Sequence, residues 1–316
     1  MASRLTVPRK VPDLRDQPLR IAVGWDGAST DAIELAGWLS KTVPSRVRVI
    51  SAETRPWSTS ISLSGKKYKR GRDRLQHSRD AEVKRALKAF VPKERWDKHF
   101  HVLADGPSRD ALLSEEAQRF DANVLLLGST PKASKGRFSP SRAVGALMRT
   151  TPITLGLAPR SAKLSKRGLM RITYAFLDTD DSNINQGLQI ASTLALRLDV
   201  PLRIVAFSPA GSHHSRTTLI DEWNEASLAL LDRARDCITA IASDLGLTKT
   251  KHFEVQARVR TGDGWAHAVD SIKWKKGDVL CIGSIVDEHA EEFLRHVPVP
   301  ILVFPASREF REEGKS

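Results

Sequence analysis

Short apolar runs alternate with longer amphipathic segments along nearly the whole chain. The runs at 124–127 and 153–157 lack the polar and apolar alternation of a half-exposed strand, which indicates strands that are covered on both faces. Strands alternating with helices predict an open, mostly parallel α/β sheet. The first half is predicted to contain strands at 19–24, 47–52, 98–103, 124–127 and 153–157, and helices at about 30–41, 75–90, 107–120 and 142–149.

The second half repeats this order. Asp26 and Asp178 each follow a first strand and lie 152 positions apart, and Gly128 and Gly283 each end a fourth strand 155 positions apart. We therefore interpret the chain as a duplication of two tandem, open, five-stranded Rossmann-like sheets. The predicted elements of the second half are strands at 171–177, 202–207, 252–259, 279–282 and about 300–304, and helices at 182–198, 219–245, 264–274 and after 288.

The two copies differ in the segment after the fourth strand. From Gly128 to Pro152 there are 24 positions, whereas from Gly283 to Pro300 there are 17, so the second copy lacks seven residues where the first has a loop rich in Ser, Lys and Gly. Open α/β sheets hold phosphates where such a loop leads into a helix N-terminus. The first copy alone is therefore expected to hold the complete ligand site.

These patterns predict five regions. They are an N-terminal tail at 1–17, a first domain at 18–160, a linker at 161–169, a second domain at 170–306 with the loop deleted, and a C-terminal tail at 307–316. Because the linker is short, we expect the two domains to pair with each other within the chain. A homodimer of the chain stays open as an alternative.

Charge distinguishes the two halves. Residues 1–160 carry 30 Lys+Arg against 16 Asp+Glu, and residues 161–316 carry 20 against 21, so the whole net charge of +13 belongs to the first half. Much of it lies in a polar excursion predicted at 53–74, where six cations cluster. This basic patch is either a solvated loop or a surface for an acidic protein or RNA. Its members are Lys66, Lys67, Lys69, Arg70, Arg72 and Arg74.

Composition sets the broad class of protein. Apolar residues make up 41% of the chain and charged residues 28%, which is typical of a soluble globular protein. No apolar run approaches the roughly 20 residues of a membrane span, and residues 1–17 offer no apolar segment for a signal peptide. We therefore expect a cytoplasmic protein without a membrane partner, in which Cys237 and Cys281 stay reduced.

The residues that end the strands of the first half match a known family. A strand ending in Val-x-Asp-Gly, followed by a duplicated α/β domain that closes with Gly-Ser, a glycine-bearing loop, a short helix and X-Pro before an apolar strand, resembles the universal stress protein family in its tandem form. The resemblance covers about 20–159 and 171–305. It implies a nucleotide-binding α/β fold of the adenine nucleotide alpha hydrolase type, a link to stress adaptation and frequent dimerisation through the last strands.

Family members that bind ATP carry Gly-x2-Gly-x9-Gly-Ser/Thr after strand four. Gly128 matches the first glycine of this motif and Asp26 matches the aspartate after strand one, but Pro131, Ser141 and Arg142 replace the later motif residues. Proline removes an amide donor, and serine adds bulk where glycine lets the backbone approach a phosphate. Neighbouring serines and cations remain to contact phosphates instead. The candidate nucleotide-binding residues are Gly24, Asp26, Gly128, Ser129, Gly136, Ser141 and Arg142.

Other clusters point to no enzyme and no metal. Ser139 and Ser141 lack a Gly-x-Ser-x-Gly elbow and an evident His/Asp pair. The histidines at 213–214, and at 289 and 296, lack the spacing of a closed zinc site, and the acidic cluster at 178–181 does not continue as a calcium loop. The sequence thus predicts a non-catalytic regulatory module that binds ATP or AMP in its first domain. The alternative is a ligand-free protein that docks an acidic partner through its basic first half.

Overall fold

A computed structural model describes residues 18–54, 66–177, 186–209, 217–247, 251–283 and 288–305. The sequence predictions for the two tails, for Asp178, Asp180 and Asp181, for the histidines at 213–214 and for the helix start at 182 lie outside these residues. The strands are β1 (Leu19–Gly24), β2 (Ser45–Thr54), β3 (Trp96–Gly106), β4 (Val124–Gly128), β5 (Thr154–Ala158), β6 (Arg171–Phe176), β7 (Leu202–Ser208), β8 (Val255–Thr261), β9 (Asp278–Ile282) and β10 (Ile301–Val303). The helices are α1 (Asp31–Leu39), α2 (Lys66–Phe90), α3 (Arg109–Arg119), α4 (Arg142–Thr150), α5 (Gly187–Leu198), α6 (Thr217–Asp244), α7 (Gly264–Asp270) and α8 (Glu288–His296).

The ten strands form one sheet in the order β3-β2-β1-β4-β5-β10-β9-β6-β7-β8. Each half contributes five parallel strands, and the order of the second half mirrors that of the first. The predicted duplicated α/β fold is confirmed. The halves are joined by the antiparallel pairing of β5 with β10, in which Leu157 is opposite Ile301 and Leu155 is opposite Val303.

Helices cover both faces of this sheet and produce two buried layers. One face packs residues such as Ile33, Val49 and Leu87 under α1 and α2, and it continues into the second half through residues such as Tyr174. The other face packs α3, α4, α7 and α8 around residues such as Phe293. Because each apolar core runs across the β5–β10 junction, the seam is an apolar core contact as well as a backbone ladder.

The amino-terminal ends of the two half-sheets carry matching arginine clusters. The Arg48 guanidinium lies 4.2 Å from the Phe120 ring centroid, and the Arg203 guanidinium lies 4.9 Å from that of Trp274. Arg48 and Arg203 are 155 positions apart, the same interval that separates Gly128 from Gly283. The duplication is thus visible in side-chain packing as well as in element order.

Helix α2 starts earlier than the sequence predicted. The pattern predicted a polar excursion to residue 74 and a helix from residue 75, whereas the structure has one helix from Lys66 to Phe90. Lysine and arginine are good helix formers, and each added residue of an established helix gains one backbone hydrogen bond, which offsets the repulsion of the charge run. The basic patch is therefore helical, and it is not a loop.

Within the described part of the chain, no helix is both long enough and apolar enough to cross a membrane.

Candidate functional site

The order of strands reverses at β1 in the first half. The chain runs outward from β1 to β2 and β3 on one side, and β4 lies on the other side with Gly24 opposite Leu127. Asp26, two residues after β1, and Gly128, the last residue of β4, therefore lie near each other at the carboxyl ends of neighbouring strands. Ligands of open α/β sheets bind in the crevice at such a switch point.

Asp26 faces this crevice with its side chain half exposed. Its Oδ1 accepts a hydrogen bond from the Ala28 amide at 2.9 Å, and its Oδ2 lies 3.4 Å from Nη2 of Arg109, at the start of α3. One carboxylate oxygen is thus fixed by the turn, and the other pairs with a cation at the edge of the crevice. This arrangement leaves the carboxylate able to accept a further hydrogen bond from a ribose hydroxyl or a base.

The neighbouring strands of this edge also end in acid–arginine pairs. Glu53, at the end of β2, accepts from Arg79 at 3.1 Å, and Asp105, at the end of β3, lies 3.6 Å from Arg72. Both arginines are on α2. The carboxyl edge of the first half therefore presents alternating acidic and basic groups that are already matched to each other.

The loop after β4 contains several hydrogen bonds between its own residues. Ser129 is buried, its Oγ accepts from the Ser139 amide at 2.9 Å, and the Thr130 amide donates to the Ser139 carbonyl at 3.0 Å. Phe138 is 1% exposed and anchors the loop in the core. The Ser129 hydroxyl and the main-chain groups of Ser139 thus stabilise the loop.

Gly136 turns the tip of this loop. Its φ of +75° is in the left-handed region that favours glycine, and its amide donates to the Arg160 carbonyl at 2.6 Å. Arg160 in turn donates from Nη1 to the Ala133 carbonyl at 2.8 Å. These contacts bring the loop against the start of the predicted linker.

Ser141 caps helix α4. Its Oγ accepts from the Val144 amide at 3.3 Å, which satisfies one free donor of the first turn, and Arg142 is the first helical residue, with an exposed side chain. The two residues that replace the last Gly-Ser/Thr of the family motif are therefore a helix cap and a surface cation that has no ion-pair partner among the described residues. The N-terminal end of α4 carries positive charge from both the helix and Arg142.

The two candidate glycines at the strand ends have different surroundings. A Cβ at Gly24 would lie 2.8 Å from Leu127 Cδ2 and 3.1 Å from Leu113 Cδ2, so a larger residue at Gly24 would require these leucine side chains to shift. A Cβ at Gly128 would meet nothing within 4 Å. The space above Gly128 is therefore open, and Gly24 is a structural residue.

Trp25 belongs to the core. It is 7% exposed, and its Nε1 donates to the Ser29 carbonyl at 2.7 Å. The indole supports the turn that carries Asp26 and takes no part in the crevice surface.

A Ser–His–Asp arrangement joins β2, β3 and α2, and no sequence pattern indicated it. His101 on β3 contacts Asp80 Oδ1 through Nδ1 at 2.6 Å and Ser51 Oγ through Nε2 at 3.1 Å. Burial lowers the pKa of His101, and Asp80 opposes this effect. Ser51 is only 3% exposed. The network is a polar contact between β2, β3 and α2 that is buried at His101 and Ser51 and partly exposed at Asp80, and sequence reading missed it because its members are 21 and 50 positions apart.

The basic patch is only partly described. Lys66, Lys67 and Lys69 begin α2, and their side chains lie outside the described residues. Arg70, Arg72 and Arg74 are exposed. Among the described residues, no cluster of three or more His, Cys, Asp or Glu is arranged to hold a metal ion.

Known proteins resemble the chain over most of its length. No protein-family model matches it. The universal stress proteins Rv2319c of Mycobacterium tuberculosis and Mb2346c of Mycobacterium bovis are each 24% identical over 292 residues, covering 87% of this chain and 94% of the relative. A universal stress protein structure from Archaeoglobus fulgidus has a TM-score of 0.57 at 12% identity, covering 92% of this chain and 97% of its own.

Proposed function

Because the chain is a tandem relative of the universal stress proteins, we propose that it is a non-catalytic stress-response module whose first half binds an adenine nucleotide, ATP or AMP. The crevice between β1 and β4 is the binding site. The observation that carries the proposal is the adjacency of Asp26 and Gly128 at the switch point, with open space above Gly128.

Asp26 supplies the nucleoside contact. Its half-exposed carboxylate is held by the Ala28 amide and is close to Arg109, so a ribose hydroxyl can donate to it without rearrangement of the turn. The open surface at Gly128 lets the ligand approach the backbone.

Side-chain cations take the place of the motif glycines at the phosphates. Arg142 is exposed at the first turn of α4, and Lys132 and Lys135 are exposed in the loop. Charge-assisted hydrogen bonds from such groups are stronger than neutral ones. Because these contacts depend on charge, the affinity is expected to fall as salt rises.

Calorimetric titration with ATP and with AMP tests the proposal on protein freed of nucleic acid. We expect one site per chain, lost in Asp26→Ala and weakened by about ten-fold in Arg142→Gln, the cost of one charged hydrogen bond. Asp236→Ala, at an exposed carboxylate on α6 of the second half, is the matched control and should bind normally. Absence of heat at high protein concentration, or full binding by Asp26→Ala, would refute the site and favour the ligand-free docking module.

A further inference from the structure

A row of cations lies on the outer face of α2. Arg70, Arg74, Lys84 and Lys88 are all exposed, and their spacings of 4, 10 and 4 positions place them on one side of the helix, together with His77. We call these four cations the outer stripe. With a rise of about 1.5 Å per residue, the stripe is about 27 Å long.

The outer stripe is unpaired among the described residues, in contrast to the arginines on the flank of the same helix. Arg72 pairs with Asp105, and Arg79 pairs with Glu53 and Glu82. No ion pair joins an outer-stripe cation to a described carboxylate. The helix therefore uses its flank charges for internal contacts and leaves its outer charges for solvent or a partner.

A groove lies at the C-terminal end of the stripe. It has a volume of about 360 Å³ and is lined by the cations Lys84, Lys88 and Lys93 and by the apolar residues Val91, Pro92 and Trp96. The Trp96 Nε1 donates to the Val91 carbonyl at 3.0 Å. Because its only donor is engaged, the partly exposed indole offers a ligand its apolar ring and no hydrogen bond.

We propose that the outer stripe and this groove together bind single-stranded nucleic acid. The phosphates follow the stripe, and a base enters the groove against Trp96. A row of unpaired cations about 27 Å long matches a linear polyanion better than one small anion. A groove lined by cations and an aromatic ring is suited to a base, because every base has a face that stacks on an aromatic ring.

An acidic protein surface is the alternative ligand for the outer stripe, and the lining of the groove favours nucleic acid over it. Carboxylate side chains would engage the lysines, but they bring no flat apolar group to cover Trp96. The engaged indole donor also predicts little sequence preference, since stacking does not read base edges.

The groove of this site is separate from the nucleotide crevice, whereas the stripe begins near the carboxyl edge, where Arg72 contacts Asp105. Trp96 is the first residue of β3, whereas Asp26 and Gly128 lie at the opposite, carboxyl ends of the strands. Failure of either proposal is therefore visible independently of the other. Asp26→Ala is expected to retain nucleic acid binding, and excess AMP is expected not to displace the oligonucleotide.

Fluorescence anisotropy with a labelled oligouridylate of about 12 nucleotides tests the inference across a salt series. A stripe variant combines Arg70→Gln, Arg74→Gln, Lys84→Gln and Lys88→Gln. Its matched control removes four exposed cations from the second half through Arg235→Gln, Lys251→Gln, Lys273→Gln and Lys276→Gln. Both variants lose the same net charge, so they separate a local contact from general attraction.

We expect the stripe variant to bind at least ten-fold more weakly and to lower the salt slope by about 3, at about 0.7 for each lost phosphate contact on a single strand. The control variant should keep most of the binding affinity and most of the salt slope. Trp96→Leu should weaken binding by about ten-fold, and Trp96→Phe, which keeps a ring, should not. The inference is overturned by equal losses in stripe and control variants, by tighter binding of duplex RNA, by displacement with polyglutamate as effective as with RNA, or by no binding at low salt.

Discussion

The Arg137 guanidinium donates from Nη1 to the main-chain carbonyl oxygen of His296 at 2.6 Å, and the two residues belong to opposite halves of the chain. Arg137 lies in the loop after β4, and His296 ends α8. The carbonyl at a helix C-terminus has no partner within its own helix and carries partial negative charge. The candidate ligand loop of the first half is thus fastened to the second half.

Arg137→Met is expected to loosen the loop while keeping most of its apolar contact. Loss of the charged hydrogen bond to His296, together with the longer contact from Nη2 to Asp270 Oδ1 at 3.5 Å, predicts a cost of about 2 kcal/mol in the free energy of unfolding. Limited proteolysis should show faster cleavage within 129–141. Arg142→Met, which removes an exposed cation without a described partner, is the control and should change neither the free energy of unfolding nor the cleavage rate. Equal behaviour of the two variants would show that the contact of Arg137 with His296 does not hold the loop.

Asp278→Asn is expected to be among the most damaging substitutions of a polar residue. Asp278 is 1% exposed, with Arg171 Nη2 at 2.5 Å and Arg203 Nη2 at 3.7 Å, and burial together with Arg171 lowers the pKa of Arg203 to about 10. Removing the carboxylate charge leaves two arginines without their counter-ion, at a cost of about 3–5 kcal/mol.

Denaturant unfolding of Asp278→Asn measures this cost. Asp97→Asn, which breaks the more exposed pair with Arg48, serves as the comparison and should cost about 1 kcal/mol. Similar losses for the two variants would show that burial does not set the strength of these pairs.

His101 predicts a pH dependence of stability. Its pKa is lowered in the folded state, chiefly by burial, so the unfolded chain binds a proton first as pH falls. The free energy of unfolding should therefore decrease as pH falls from about 6.5, the ordinary histidine value, through the folded pKa, and it should be insensitive to this residue at higher pH. In His101→Gln this part of the slope should disappear.

The exposed His99, two positions away on β3, provides the control for this experiment. Unfolding curves recorded between about pH 7.5 and 5 should show the normal slope in His99→Gln. A slope that survives in His101→Gln would assign the effect to another group.

Substitution by alanine should destabilise the protein at one glycine and leave its stability almost unchanged at another. A Cβ at Gly37 would lie 2.1 Å from the Phe90 carbonyl oxygen, so Gly37→Ala forces α1 away from the end of α2 and should cost about 1–3 kcal/mol or more. Gly128→Ala meets nothing within 4 Å and should change stability by less than about 0.5 kcal/mol. Thermal unfolding of both variants checks this, and a destabilised Gly128→Ala would show that the space above Gly128 is not open.

The sequence was sufficient for the element order and the crevice, because buried strands have a distinct apolar pattern and the duplication supplied each element twice. It failed where charge and helix propensity conflict. The like charges between Lys66 and Arg74 predicted an extended segment, yet these residues extend α2 and place Arg72 beside Asp105. Such a pairing across 33 positions cannot be seen in a local window.

The candidate site shows the same limit. Asp26 and Gly128 are brought together as the strand ends require, but Gly24 is occupied by leucine packing and Ser141 by capping. Residue type at a motif position indicates what chemistry is available, and only the neighbours decide whether it is already used. The contact of His101 with Ser51 and Asp80 is invisible in sequence for the same reason.

The β5–β10 seam sets the number of longer loops in each ten-stranded sheet to one. Two separate copies of a single half would assemble with two identical loops and would come apart on dilution, whereas here one covalent chain holds one full-length loop and one that is seven residues shorter. Any ligand that requires the longer loop therefore binds once per ten-stranded sheet at every protein concentration. The asymmetry between the halves is encoded in the chain and needs no assembly step to produce it.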